Sequence, residues 1–327
     1  MACKIGGQMK IIVYSTSLED VHVKMIEDAA MRAGASVCFV KSEDEVPEDY
    51  KDAEIVYGNA FNTAKTNKSL KWLCSPNAGI DKFLVPGTFA NPDCILSNSS
   101  GSYGVSIAEH VIAEVLMMMR KITLCYAEAL NGVWGPQRKQ DSIKDSRITC
   151  LGTGDIGRTF ASRVKGFQPK SIVGVSRSGK SDDKNFDKMY KIEELDKVLP
   201  GTDLLVMSLP GTPETENILT KERINLMPEG SYIVNVGRGS AIDEDALYDA
   251  LESGHLAGAA LDVFKVEPLP KDNKMWHAKN LLITPHVAGN MTLLHTINRN
   301  VEMFCEDLDN YANKRPLKYA VDRNKGY

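Results

Sequence analysis

ITCLGTGDIGRTF, residues 148–160, decides the fold. A short apolar run, Ile148 to Leu151, passes directly into three glycines spaced GxGxxG, and a helix-like segment follows over 158–164. The spacing alone is weak, because a chain with 25 glycines makes near matches by chance. Set between a strand and a helix, each glycine has a purpose. Gly152 permits the tight turn, Gly154 lets backbone N–H groups approach a pyrophosphate, and Gly157 lets the helix pack against the strand. The helix N-terminus favours the anion. This is the pattern of a parallel α/β domain that binds a dinucleotide, with Gly152, Gly154, Asp155, Ile156 and Gly157 at the phosphates.

On both sides of this turn, strand-like and helix-like segments alternate, which implies parallel sheets covered by helices. Strands are expected at 10–15, 37–40, 54–57, 72–74 and 95–97, and again at 147–151, 171–175, 204–208, 231–236, 258–263 and 280–284. A helix is expected over 19–33, stopped by Gly34. Another is expected over 105–126, nearly encircled by apolar residues and so buried on most sides. A last helix is expected over 292–313. A polar, turn-rich stretch fills 134–141. No repeat of fixed period and no low-complexity tract interrupts the order.

At 327 residues the chain favours two domains, and 43% hydrophobic with 25% charged residues is ordinary globular composition. The net charge of −4 gives no support for nucleic-acid or acidic-membrane binding. The N-terminal apolar run, 11–14, is too short for a signal-peptide core, and nothing later approaches a membrane span. Seven cysteines, at 3, 38, 74, 94, 125, 150 and 305, are odd in number and never spaced CxxC. They are expected to be small buried apolar residues in a reducing cytoplasm rather than a disulfide framework or metal site.

The second strand of the dinucleotide domain chooses the cofactor. About twenty residues past such glycines, an NAD site usually carries Asp or Glu for the ribose 2′-hydroxyl. Here Ser176, Arg177 and Ser178 stand instead. A guanidinium can hold a 2′-phosphate that a carboxylate would repel. NADP is therefore favoured and NAD remains possible; the plain alternative is that Arg177 points into solvent.

Three later strand ends carry chemistry. Arg238 lies between Gly237 and Gly239, where an arginine fork suits a carboxylate. Glu267 follows the strand holding Asp262, and His286 follows the apolar run that ends at Thr284-Pro285. Residues just beyond the carboxyl ends of parallel strands gather at the ligand crevice. A carboxylate beside an imidazole favours its charged form, and such a ring can donate a proton to a carbonyl as hydride reaches carbon. His110, on the buried helix, is expected to be a hydrogen-bonded structural group.

In their order, 77–81 (NAGID), 108–110 (AEH), 151–157 (LGTGDIG), 209–215 (LPGTPET), 235–239 (NVGRG), 261–264 (LDVF) with Glu267-Pro268, and 284–289 (TPHVAG) resemble the D-isomer-specific 2-hydroxyacid dehydrogenases. The likeness is to the short glyoxylate/hydroxypyruvate-reductase-like members. It implies two doubly wound parallel-sheet domains with a cleft between them. One is a Rossmann cofactor domain, 102–291. The other is a flavodoxin-like substrate domain from 1–101 and 292–327. Arg238 would hold the substrate's carboxylate and keto oxygen, His286 would be the acid/base, and Glu267 would orient it. Ala78 and Gly79 would offer backbone N–H groups to the substrate. Leu209, Pro210, Thr215, Val236 and Gly237 would line the cofactor site, and Asp262 would lie near the nicotinamide carboxamide. A cytoplasmic homodimer joined through the cofactor domain is implied. Two features depart from the family: the acidic residue after the second strand is missing, and Gly211 replaces a larger apolar residue. No regulatory domain like that of the longer phosphoglycerate dehydrogenases is expected after the final helix.

A non-enzymatic dinucleotide-sensing corepressor of this fold is the alternative function. A formate-dehydrogenase-like enzyme is disfavoured, since that group carries glutamine where Glu267 stands. Tyr57, Asn59, Phe61 and Tyr103 either border the substrate or serve as packing and surface.

Overall fold

The computed structural model describes residues 9–14 and 16–323. The expectations for the N-terminal eight residues, Cys3 included, and for Ser15 at a strand end lie outside the described residues. The chain divides into two compact units, one comprising the described residues up to Tyr103 with those from Asn290 onward, the other spanning Gly104–Gly289.

The first unit is a five-stranded sheet: β1 (Met9–Tyr14), β2 (Ala35–Val40), β3 (Ile55–Tyr57), β4 (Trp72–Cys74) and β5 (Ile95–Ser97). The order is β2-β1-β3-β4-β5 and every pair is parallel. The strands are short apolar runs because helices cover both faces of a parallel sheet. Helix Asp20–Arg32 buries Ile26, Ala29 and Ala30 and ends before Gly34, whose φ of 66° reverses the chain.

Helix Leu294–Ala312 packs into the same sheet through Ile297, Val301, Phe304 and Leu308, one stripe at helical spacing. The Phe304 ring lies 4.9 Å from that of Tyr57 and 5.3 Å from that of Trp72. Trp72 donates its indole N–H to Ser97 Oγ at 2.8 Å, so its one polar atom is satisfied inside the core. Phe304→Ala should cost about 3–5 kcal/mol, read as a lower urea midpoint. A loss below about 1 kcal/mol would mean that the neighbouring rings close the cavity.

The second unit is a seven-stranded sheet: β6 (Arg147–Leu151), β7 (Ser171–Ser176), β8 (Lys188–Lys191), β9 (Leu204–Met207), β10 (Ser231–Asn235), β11 (Leu256–Leu261) and β12 (Leu281–Ile283). The order β12-β11-β10-β9-β6-β7-β8 is parallel throughout. The chain winds outward from β6 through β7 to β8, then returns to β9 and winds the other way. The reversal therefore falls between β6 and β9, where an open parallel sheet opens its ligand crevice.

Three expectations need correction. The helix expected over 105–126 is two helices, Gly104–Met119 and Ile122–Leu130, because Lys121 takes a left-handed conformation with φ of 56°. The first is buried as expected, but the second buries no residue. Strand β8 was missed because its sequence, Lys-Met-Tyr-Lys, is that of a charged edge strand with no apolar face to flag it. Among the cysteines, Cys74, Cys94 and Cys150 are buried free thiols as expected, but Cys125 is exposed and Cys38 is disulfide-bonded. Sequence spacing does not register a pairing that depends on which residues the fold brings together.

Candidate active site

The glycine turn has the form its sequence requires. Gly152 leaves β6 with φ of 105°, and its N–H donates to Val175 O at 2.9 Å. A Cβ there would meet the Ser208 backbone oxygen at 2.9 Å, and one at Gly157 would collide with the Gly152 carbonyl. Both positions therefore exclude a side chain. At Gly154, the N-cap of helix Asp155–Val164, an added Cβ would meet nothing within 4 Å. The space before the helix's first turn is thus open, at the positive end of the helix dipole and at the sheet's reversal point, which fits a pyrophosphate. Asp155 turns its carboxylate to the Gly104 N–H at 2.7 Å. Ile156 is half-buried beside it.

At the end of β7, Ser176 is half-buried while Arg177 and Ser178 are exposed. Ser176 Oγ accepts the Gly179 N–H at 3.2 Å, and Ser178 Oγ accepts that of Lys180 at 3.2 Å. Lys191 of β8 pairs in register with Ser176, which adds a cation that the sequence reading did not single out. The Glu214 carboxyl lies below its usual range, chiefly through a Thr212 side-chain hydrogen bond and also through the charge of Arg177.

After β9, Leu209 is buried, and Thr215 Oγ1 donates to Pro210 O at 2.7 Å, locking the 209–215 loop. After β10, Val236 is buried. A Cβ on Gly237 would meet Leu209 O at 2.6 Å, and one on Gly239 would strike the Phe264–Lys265 backbone. The two glycines therefore let the Arg238 loop sit between neighbouring strand ends. Asn235 staples this loop by donating to Arg238 O at 2.9 Å and accepting the Gly237 N–H at 3.0 Å. The half-buried Arg238 donates one guanidinium N–H to Gly237 O at 2.8 Å.

His286 follows β12 in a left-handed conformation, φ 54°, with its N–H donating to Asp262 O at 2.8 Å. Its Nδ1 lies 2.7 Å from Glu267 Oε2, while Glu267 Oε1 accepts the Phe264 N–H at 2.9 Å. A carboxylate only accepts, so the ring's Nδ1 carries a proton, and Nε2 is left to exchange a second proton with a reacting group. The His286 side chain is 51% exposed, consistent with a group that must meet a substrate. Asp262 is 2% exposed, with its carboxylate directed at protein groups. The second unit thus places Arg238, Glu267 with Asp262, and His286 beyond the ends of three adjacent strands, β10, β11 and β12.

In the first unit, Ala78 and Gly79 lie on the loop after β4, where Ala78 O accepts from Asn98 at 2.7 Å. Tyr57 is fully buried against Phe304, and Tyr103 is buried with its hydroxyl donating to Pro76 O. Phe61 stacks on Phe83 at 4.2 Å. These three are packing groups, while Asn59 is exposed and accepts from Ser75 Oγ.

Residues 112–288 match the model of the D-isomer-specific 2-hydroxyacid dehydrogenase NAD-binding domain. A formate dehydrogenase of Oryza sativa subsp. japonica is 30% identical over 75% of this chain and 67% of its own length. A D-isomer-specific 2-hydroxyacid dehydrogenase family protein of Aeromonas salmonicida superposes with a TM-score of 0.85 at 29% identity, covering 97% of this chain and all of its own. An NADPH-dependent glyoxylate/hydroxypyruvate reductase of Sinorhizobium meliloti, solved with NADP and sulfate, superposes with a TM-score of 0.79. It is 25% identical and covers 98% of this chain and 100% of its own. The match over more than half the chain and the shared pair of parallel sheets agree with the strand-end site: the chain belongs to the D-isomer-specific 2-hydroxyacid dehydrogenase family and is an NAD(P)-dependent oxidoreductase.

Proposed function

We propose that this protein reduces small 2-keto acids of the glyoxylate or hydroxypyruvate kind to D-2-hydroxy acids, with NADPH as its preferred reductant. The observation that carries the proposal is the 2.7 Å contact of His286 Nδ1 with Glu267 Oε2, one strand away from the Arg238 loop. Held at the Gly152–Gly157 turn and the 209–215 loop, a reduced nicotinamide would supply hydride to the keto carbon. Arg238 neutralises the substrate carboxylate and draws electron density toward the keto oxygen. His286 gives the proton at Nε2 to that oxygen, and Glu267 holds the ring in the required tautomer and balances its charge. Glu267 supports this chemistry over that of a formate dehydrogenase, for which glutamine was expected at this place.

The direct test is NADPH oxidation, followed by absorbance, with glyoxylate, hydroxypyruvate and phenylpyruvate. Turnover supports the proposal. Thermal stabilisation by NADPH without turnover of any keto acid would favour the sensing alternative.

For the cofactor, the support is Ser176-Arg177-Ser178 where an acidic residue would mark NAD, with Lys191 alongside. A charge-assisted contact contributes about 1.5–3 kcal/mol, so Arg177→Ala should lower kcat/KM for NADPH by about 10- to 100-fold. The value for NADH should stay within about threefold, since NADH has no 2′-phosphate to lose. An unchanged preference between the two would remove Arg177 from the site.

A homodimer is part of the same reading. Helix Ile122–Leu130 and the loop after it expose Ile122, Leu124, Tyr126, Leu130 and Val133, and Trp134 is 101% exposed. Apolar residues in that concentration mark a surface for association. A cytoplasmic location belongs to the same reading, and the buried free thiols of Cys74, Cys94 and Cys150 support it. Among the described residues no helix is long and apolar enough to cross a membrane.

A further inference from the structure

Behind the His286 loop lies a buried polar cluster that the chemistry above does not use. Helix Gly104–Met119 places His110 and Glu114 four residues apart on one face. Glu114 is 3% exposed, and its Oε2 has no hydrogen-bond partner. Burial lifts its carboxyl above the usual range, and the hydrogen bond to Glu114 lifts His110. His110 Nε2 lies 3.1 Å from Glu114 Oε1 and 3.2 Å from Thr284 Oγ1.

The Thr284 hydroxyl has one proton and two carboxylates within reach. Asp262 Oδ1 is 2.6 Å away and Glu114 Oε1 is 3.4 Å away, so the proton goes to Asp262. The His110 ring N–H then faces both Glu114 and the Thr284 oxygen. Asp262 collects two more donors, the Val287 N–H at 2.8 Å on Oδ1 and the Ala288 N–H at 3.0 Å on Oδ2. Those amides directly follow His286, a non-glycine residue in a left-handed conformation that a short turn does not hold cheaply. The Asp262 carbonyl takes the His286 N–H itself.

We infer that Asp262 and Thr284, backed by His110 and Glu114, are positioning residues for His286. Asp262 holds three consecutive amides, two through its carboxylate and one through its carbonyl, and so fixes the turn that aims the ring at Glu267. Its carboxylate serves the histidine loop through both oxygens, Oδ1 to the Val287 N–H and Oδ2 to the Ala288 N–H. Thr284 orients that carboxylate, and the helix pair supplies the donor behind Thr284. The inference rests on His286 being the acid/base, and its test is chosen to separate the two.

The full chain is compared with Thr284→Val, Thr284→Ser and Asp262→Asn. Three quantities are read: kcat, the NADPH dissociation constant by fluorescence, and the hydrogen-bonded Nδ1 proton of His286 by NMR. Thr284→Val keeps shape and removes only the hydroxyl. It should lower kcat about tenfold and broaden or abolish the Nδ1 proton signal, while NADPH binding stays within about twofold. Thr284→Ser should restore both. Asp262→Asn should act like Thr284→Val and more strongly.

The inference is overturned by any of three results. Thr284→Val could keep the parent's signal and rate. Thr284→Ser could fail to restore them. Asp262→Asn could keep the signal while weakening NADPH binding by more than about tenfold, as a direct cofactor ligand would. The NMR signal reports the ring's placement whether or not the protein turns over a keto acid. Absence of turnover in the parent therefore counts against the function alone.

Discussion

His286→Ala should lower kcat for keto-acid reduction by about a thousandfold, within the 10²–10⁴ range that one positioned acid/base contributes. NADPH binding should stay within about threefold, because the proposed phosphate site lies at β6, at the far side of β9 from β12 in the strand order. Folding should change little. The ring is half-exposed, and the loop backbone is held by Asp262 through amides that alanine retains. Glu267 would keep one of its two contacts, the Phe264 N–H. Steady-state kinetics, NADPH titration and a melting curve together check the expectation. A variant that keeps more than about a tenth of the parent rate would show that solvent protonates the keto oxygen well enough, and His286 would lose its role.

The difference between what the sequence made legible and what it did not follows from the range of the interactions. The Gly152–Gly157 turn was readable because its constraints are local: a reversal, a close carbonyl and a helix start fall within six residues. The caps of helix Glu244–Ser253 are equally local: Asp243 accepts the Ala246 N–H, and Gly254 takes φ of 79°. The strand-end placement of Arg238, Glu267 and His286 was readable as an order of elements, because parallel winding puts every carboxyl end at one edge.

Long-range features were hidden. Lys121 breaks a run whose apolar pattern resumes at Ile122 after Arg120 and Lys121, and its left-handed conformation has no sequence signal comparable to glycine. The exposure of Ile122, Leu124 and Tyr126 was likewise invisible, since hydrophobicity marks a need for burial without saying what provides it. The Asp262 cluster joins helix Gly104–Met119 to β11 and β12, across about 170 residues of chain in the case of Glu114 and Thr284. No window of sequence holds both partners. Thr284 does carry a local signal: a hydroxyl at the end of an apolar strand, next to a proline, needs a partner.

Arg238→Ala should reduce kcat/KM for the keto acid by about a thousandfold, roughly 4 kcal/mol of lost transition-state stabilisation. Two contributions disappear together: the charge-assisted grip on the carboxylate and the polarisation of the keto oxygen as negative charge develops there. The first raises KM and the second lowers kcat, so both should change. Arg238→Lys separates them. An ammonium restores charge without the planar fork, so it should recover part of KM and little of kcat. The loop should survive either substitution. Asn235 holds the Arg238 carbonyl and the Gly237 amide, neither of which depends on the guanidinium, and Gly237 and Gly239 keep the passage between strand ends. NADPH affinity should therefore be nearly unchanged, which distinguishes loss of substrate contacts from collapse of the site. If Arg238→Ala left kcat and KM both within about twofold of the parent, the carboxylate would have to be held elsewhere, and the strand-end arrangement would not be the substrate site.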